Sequence, residues 1–264
     1  MIPELKRLLP TPVKSAGKAV LGLMDPALTT LYRTGPLPPR YLRNRVGTAH
    51  PPVFIREGQN CARSIKESLA AIDRPLECFD SVLDFGCGCG RTLRHIKAKN
   101  ISGCDVDAEA IAWMQRNAMG TFKANSFEPP LPFLDLSFDL IYSISVFTHL
   151  NELSQFEWLK EIKRVLRPGG IAALSVQGEH GMNRFQRGEI AISQEMLGRL
   201  RGRSLTEGFI FEPYEILDYL EGKTYGVTFH SEEYIRSAWS SCFKVVDIIP
   251  GIVDNLQDMV LLTH

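Results

Sequence analysis

From Ser81 onward, short apolar runs alternate with stretches of helical spacing. Ser81–Phe85, Ile101–Asp105, Thr121–Ala124, Phe138–Ser143 and Ile171–Val176 read as strands. Helical stretches fall between them, at about Arg91–Lys99, at Ala108–Asn117 and at Glu152–Leu166. In the last of these, Leu153, Phe156, Leu159, Ile162 and Val165 recur at three- and four-residue steps, the spacing of one buried helix face. Asp107 stands where a helix cap is needed, and Arg167-Pro168-Gly169-Gly170 is a stop signal. Strands linked by crossover helices predict an α/β fold, a parallel sheet with helices on both faces.

The alternation breaks at Gln177–Thr224, which reads as an insertion after strand five. It carries a helix near Ser193–Leu200 and an aromatic patch of Phe209, Phe211 and Tyr214. A strand at Tyr225–His230 follows, then a helix at Ser231–Ser240, then strands Phe243–Ile249 and Asp258–Leu262 joined through Pro250-Gly251. Upstream, prolines break the first 35 residues into one or two short helices, Gly35-Pro36-Leu37-Pro38-Pro39 is a stiff connector, and Gly58–Ile72 has helical spacing. Residues 1–80 read as too thin in core residues for a domain, so they are expected to form a helical, basic extension to a domain over residues 81–264.

Composition narrows the picture. The chain has 264 residues, 44% of them hydrophobic, and a formal net charge of zero, which argues against broad nucleic-acid binding. The charge is uneven: Met1 to Arg56 holds nine basic and two acidic residues, leaving 21 basic and 28 acidic in the remainder. Arg40, Arg43, Arg45 and Arg56 could form a lid that favours a carbohydrate or anionic acceptor, or else a solvated face or homodimer contact. The six cysteines do not follow zinc-pair spacing and read as small hydrophobes in a reducing, cytoplasmic setting. No apolar run approaches the roughly 20 residues that span a bilayer. The basic, apolar Leu5-Lys6-Arg7-Leu8-Leu9 is a poor signal peptide and reads as a docked or frayed helix.

Candidate chemistry centres on Val82-Leu83-Asp84-Phe85-Gly86-Cys87-Gly88-Cys89-Gly90, a strand running into a loop with glycine at every second position. Such a loop lets backbone N–H groups approach a ligand closely. Further signatures follow in order: Gly103-Cys104-Asp105-Val106-Asp107, then Leu131-Pro132-Phe133 with Ser137-Phe138-Asp139-Leu140-Ile141-Tyr142-Ser143, then Glu161-Ile162-Lys163-Arg164-Val165-Leu166-Arg167-Pro168-Gly169-Gly170. Together these resemble a class I S-adenosylmethionine-dependent methyltransferase, and the tail loosely resembles a bacterial subgroup that modifies small molecules and glycans. The resemblance implies a Rossmann-like, seven-stranded, mostly parallel sheet whose last strand is antiparallel. It also implies S-adenosylmethionine as cofactor, with S-adenosylhomocysteine as product. On this resemblance Asp84, Phe85, Gly86, Cys87, Gly88, Gly90 and Ser143 surround the methionine part, Asp105 holds the ribose hydroxyls, Val106 packs on adenine, and Asn125 or Ser126 meets the adenine edge.

Methyl transfer to an alcohol needs a proton removed, and histidine is the natural base near neutral pH. His149 follows strand four on the cofactor edge and is the leading candidate. His230, Glu179 and Tyr225 come from loops expected at the same mouth. With His180 they could make a divalent metal site, but no metal is predicted because no ligand pair has helical spacing. The expected activity is O-methylation of a sugar, glycan or secondary metabolite hydroxyl, with no nucleic-acid partner. The alternatives are N-methylation of a small molecule and a non-catalytic cofactor-binding protein.

Overall fold

The computed structural model describes residues 35–214 and 225–264. The early helices and basic terminus expected before Gly35 lie outside them. Among the described residues there are nine strands: β1 (Ser81–Phe85), β2 (Asn100–Asp105), β3 (Thr121–Ala124), β4 (Phe138–Ser143), β5 (Leu166–Val176), β6 (Phe209–Pro213), β7 (Gly226–His230), β8 (Lys244–Val253) and β9 (Gln257–Thr263). Seven of them form one sheet in the order β3-β2-β1-β4-β5-β9-β8. Pairing is parallel from β3 to β5, and β9 runs antiparallel between β5 and β8. The Rossmann-like architecture expected from the sequence is therefore present. All five β1 residues are buried, as a central strand covered on both faces requires.

The described helices are α1 (Arg40–Arg45), α2 (Pro51–Ala71), α3 (Ala108–Asn117), α4 (Glu152–Val165), α5 (Glu179–Gln186), α6 (Gln194–Leu200) and α7 (Glu232–Ala238). Asp107 caps α3 by accepting from the N–H groups of Glu109 and Ala110, and Asn151 caps α4 by accepting from Ser154. On one face of the sheet, Trp158, Leu159, Ile162 and Val165 of α4 pack with Ile235 and Trp239 against β1, β4, β5 and β9. On the other, Cys61, Ala62, Ile65 and Leu69 of α2 pack on Val82, Leu140, Tyr142, Ala173 and Leu261.

Two expectations are corrected here. Residues 51–71 are a layer of the domain core, not part of an appendage, and α2 starts at Pro51. Two prolines at its first positions preset the helical φ, and half of its buried face is small (Gly58, Cys61, Ala62, Ser64, Ser68), which an apolar count overlooks. Secondly, no helix spans Arg91–Lys99; only a 3-10 turn forms, at Leu93–His95. Residues 86–99 join the end of β1 to the start of β2, and this turn is the one helical element among them.

The insertion has its own small core of Met182, Phe185, Met196, Leu200, Leu205, Ile210, Val227 and Phe229. Tyr225–His230 does not join the main sheet as β7 but pairs antiparallel with β6 as a two-stranded ribbon. That ribbon is fastened to the segment after β4, where Gly226 N donates to His149 O and Thr228 N to Thr148 O, both at 2.9 Å.

Candidate active site

The glycine loop leaves β1 at the carboxyl edge of the sheet, where open α/β sheets bind ligands. Gly86 and Gly88 have φ of +84° and +50°, a region that disfavours side chains. A Cβ on Gly86 would strike Val146 after β4, and one on Gly88 would lie 2.5 Å from Val46 after α1. The loop is thus a bare-backbone cradle between two elements. Gly86 N and Cys87 N both donate to Cys104 O, which ties it to β2. The Cys87 thiol is buried beside Gly103, with burial pushing its pKa well up, so it acts as a filler.

Asp105 closes the cradle. Its Oδ2 accepts from Gly88 N at 2.7 Å and its Oδ1 from Asp107 N at 2.8 Å. Burial raises its pKa, and the two N–H donors pull it back. Each oxygen keeps a free lone pair, which suits a pair of hydroxyl donors such as a ribose diol. Val106 follows with 42% of its surface exposed. Asn125 N donates to Asp105 O, and its buried Oδ1 has no partner, while its Nδ2 donates to Ser126 O. An orphaned acceptor at this position fits an adenine amino group, and Ser126 is exposed beside it. The residues present therefore fit S-adenosylmethionine: glycine backbone for the amino-acid part, Asp105 for the ribose, Val106 and Asn125 for adenine.

Several residues expected at the cofactor act from behind. Asp84 is buried and accepts from the Tyr142 hydroxyl at 2.9 Å. Burial, helped by nearby Asp105 and opposed by the Tyr142 bond and Arg91, lifts its pKa to about 7. The Phe85 ring packs on Trp158, with centroids 4.7 Å apart. Only its carbonyl reaches the edge, where it accepts from Ser143 Oγ at 2.8 Å. Arg91, just after the loop, pairs with Glu57 of α2 at 3.0 Å.

On the acceptor side, His149 Nδ1 is 2.9 Å from Gly226 O. A carbonyl only accepts, so Nδ1 carries the proton and Nε2 presents a lone pair. The ring stacks on Tyr225 at 5.0 Å, and the Tyr214 hydroxyl lies 3.2 Å from Nδ1. Burial lowers the imidazole pKa to about 4, with the Gly226 bond opposing. Tyr214 was visible in the sequence only as part of an aromatic patch. Gln155, also missed, is fully buried, and its signal was a polar residue in step with Leu159 and Ile162.

The other candidates do not converge on this site. His230 is 0% exposed and packs against Phe209 and Trp239, so it is not a residue of the mouth. Glu179 is exposed at the start of α5, and His180 Nε2 is bonded to Asn255 O. Among the described residues no group of three or more His, Cys, Asp or Glu is placed to hold a metal. Arg43 is 2% exposed and donates to Pro38 O and Ala49 O, and Arg45 pairs with Asp107 and Glu109. Among the described residues no helix is long and apolar enough to cross a membrane.

Comparison with known proteins agrees with this geometry. Residues 83–174 match a family model described as "Methyltransferase domain". A protein of Encephalitozoon cuniculi (strain GB-M1) named as a methyltransferase is 32% identical over 136 residues, covering 48% of this chain and 60% of its own. A Bos taurus protein named as a tRNA methyltransferase is 29% identical over 113 residues, 42% of this chain and 24% of its own. The chain thus spans less than two thirds of either relative. A solved S-adenosylmethionine-dependent methyltransferase from Clostridium acetobutylicum ATCC 824 shares the fold, with a TM-score of 0.51 at 14% identity over 77% of this chain and 90% of its own. Sheet order, cradle and family match together make residues 83–174 similar to a methyltransferase domain, on a fold shared with S-adenosylmethionine-dependent methyltransferases.

Proposed function

We propose that this chain methylates a hydroxyl of a small molecule, with S-adenosylmethionine as donor and His149 as general base. When bound, the cofactor supplies an electrophilic methyl group on a sulfonium. The chain's own part is to align an acceptor and take its proton. The observation that carries the reading is the Nδ1–H bond from His149 to Gly226 O, which leaves Nε2 as a proton acceptor on the cofactor edge. The flanking Tyr214 and Tyr225 suit a ring-bearing acceptor. Arg43 and Arg45 are committed to other partners, which favours a neutral acceptor over an anionic one.

Transfer of labelled methyl groups to a panel of sugars, phenols, lipids and tRNA tests the acceptor class. With an accepted alcohol, His149→Ala should lower kcat by about 10²–10⁴-fold while S-adenosylhomocysteine affinity stays unchanged. An amine acceptor needs little help from a base, so an unchanged kcat would replace the base assignment with N-methylation. Cofactor binding with no transfer to any acceptor on the panel would favour a non-catalytic role.

A further inference from the structure

The segment Phe147–Leu150 has every backbone carbonyl held. Thr148 O and His149 O accept from Thr228 N and Gly226 N of the ribbon. Leu150 O accepts from Thr228 Oγ1 at 2.7 Å and from Gln155 Nε2 at 3.0 Å. Phe147 O accepts from the same Gln155 amide at 3.4 Å. Gln155 thus clasps the segment on both sides of His149 from within α4.

What fixes Gln155 is His230. Two carbonyls face the Gln155 amide nitrogen, so its Oε1 faces the other way, 2.9 Å from His230 Nε2. An amide oxygen accepts, so His230 carries its proton on Nε2 and leaves Nδ1 as a buried lone pair without a partner. The ring is enclosed by Phe209, Tyr234 and Trp239. In such a cage phenylalanine would pack as well and leave no orphaned nitrogen. The imidazole is accounted for by the one bond it donates.

We propose that His230 is a positioning residue that acts through Gln155 to hold the Phe147–Leu150 segment, and with it the Nδ1–H tautomer of His149. This rests on the reading of His149 as the base. The relay runs from His230 Nε2–H to the Gln155 amide, and from that amide to the carbonyls on either side of His149. Burial, opposed by the Gln177 backbone, holds the His230 pKa at about 3, so it remains a neutral donor and takes no part in proton transfer.

Long-range proton–nitrogen correlation spectra of ¹⁵N-histidine-labelled protein read both tautomers without an acceptor substrate. Wild-type His149 should appear as the single Nδ1–H form. His230→Gln, which restores an N–H toward Gln155, should preserve it. His230→Phe should abolish it and give exchange between both ring forms, with S-adenosylhomocysteine affinity unchanged within about twofold, since the cradle lies elsewhere. A folded His230→Phe protein with His149 still wholly in the Nδ1–H form would overturn the proposal, because a merely structural role changes melting and not the tautomer. If His230→Phe does not fold, Gln155→Met carries the same expectation and the same refutation. Failure of the wild type to bind S-adenosylhomocysteine would sink the functional reading, yet the spectra would still decide the positioning role.

Discussion

Asp84 sits behind the glycine loop with its carboxylate out of water and the Tyr142 hydroxyl donating to it. Its pKa of about 7 ties it to stability. Below pH 4 both folded and unfolded chains hold the proton and nothing is lost. Between about 4 and 7 the unfolded chain has released a proton that the folded chain keeps, so stability falls as pH rises through that window. Above 7 the full penalty remains, on the order of 4 kcal/mol. Asp84→Asn keeps an acceptor for Tyr142 and removes the charge. Denaturant melts should therefore show the variant gaining on wild type from pH 4 to 7 and exceeding it by a few kcal/mol at pH 8; parallel curves would refute the shift. His149 and His230 make the same point about environment. The sequence placed both near the site, but only burial and partners show that one has a usable lone pair and the other a locked one.

At the scale of elements, α2 carries the clearest lesson. Gly58 looks like a weak point in its helix, and alanine in an open helix would add about 1 kcal/mol. Here a Cβ would land on the Arg91 carbonyl oxygen, where backbone meets backbone. Gly58→Ala should instead lower unfolding free energy by about 2 kcal/mol, while Gly198→Ala in α6, with open space around its Cβ, should be neutral or stabilising. Equal effects in thermal and denaturant melts would contradict this packing. β1, β2 and β4 were legible because their apolar runs match their burial, and α4 was legible through Leu159, Ile162 and Val165, although Leu153, expected on the same face, is 70% exposed and Trp158 is buried instead. α2 was only partly so, because half of its buried face is built from Gly, Cys, Ala and Ser, and the 91–99 stretch misled because its residues suit a helix while only a 3-10 turn forms. The ribbon of β6 and β7 was hidden because its partners lie far apart in sequence.

For the whole molecule, the sheet and the cofactor edge follow from a local order of motifs, so they were readable early. The acceptor side is assembled from long-range contacts between the segment after β4 and the insertion after β5, so its chemistry emerges only on folding. The central claim is that the Gly86–Gly90 cradle and Asp105 hold S-adenosylmethionine, and calorimetry with S-adenosylhomocysteine tests it most directly. The account predicts saturable one-to-one binding with a dissociation constant of about 1–100 μM, in the usual range for enzyme ligands. It also predicts at least about tenfold weaker binding by Asp105→Asn, equal to roughly 1.4 kcal/mol, together with lower melting, because one of the two backbone N–H groups that donate to Asp105 loses its acceptor. No saturable binding by wild type at about 1 mM, or equal affinity in a folded Asp105→Asn protein, would contradict it.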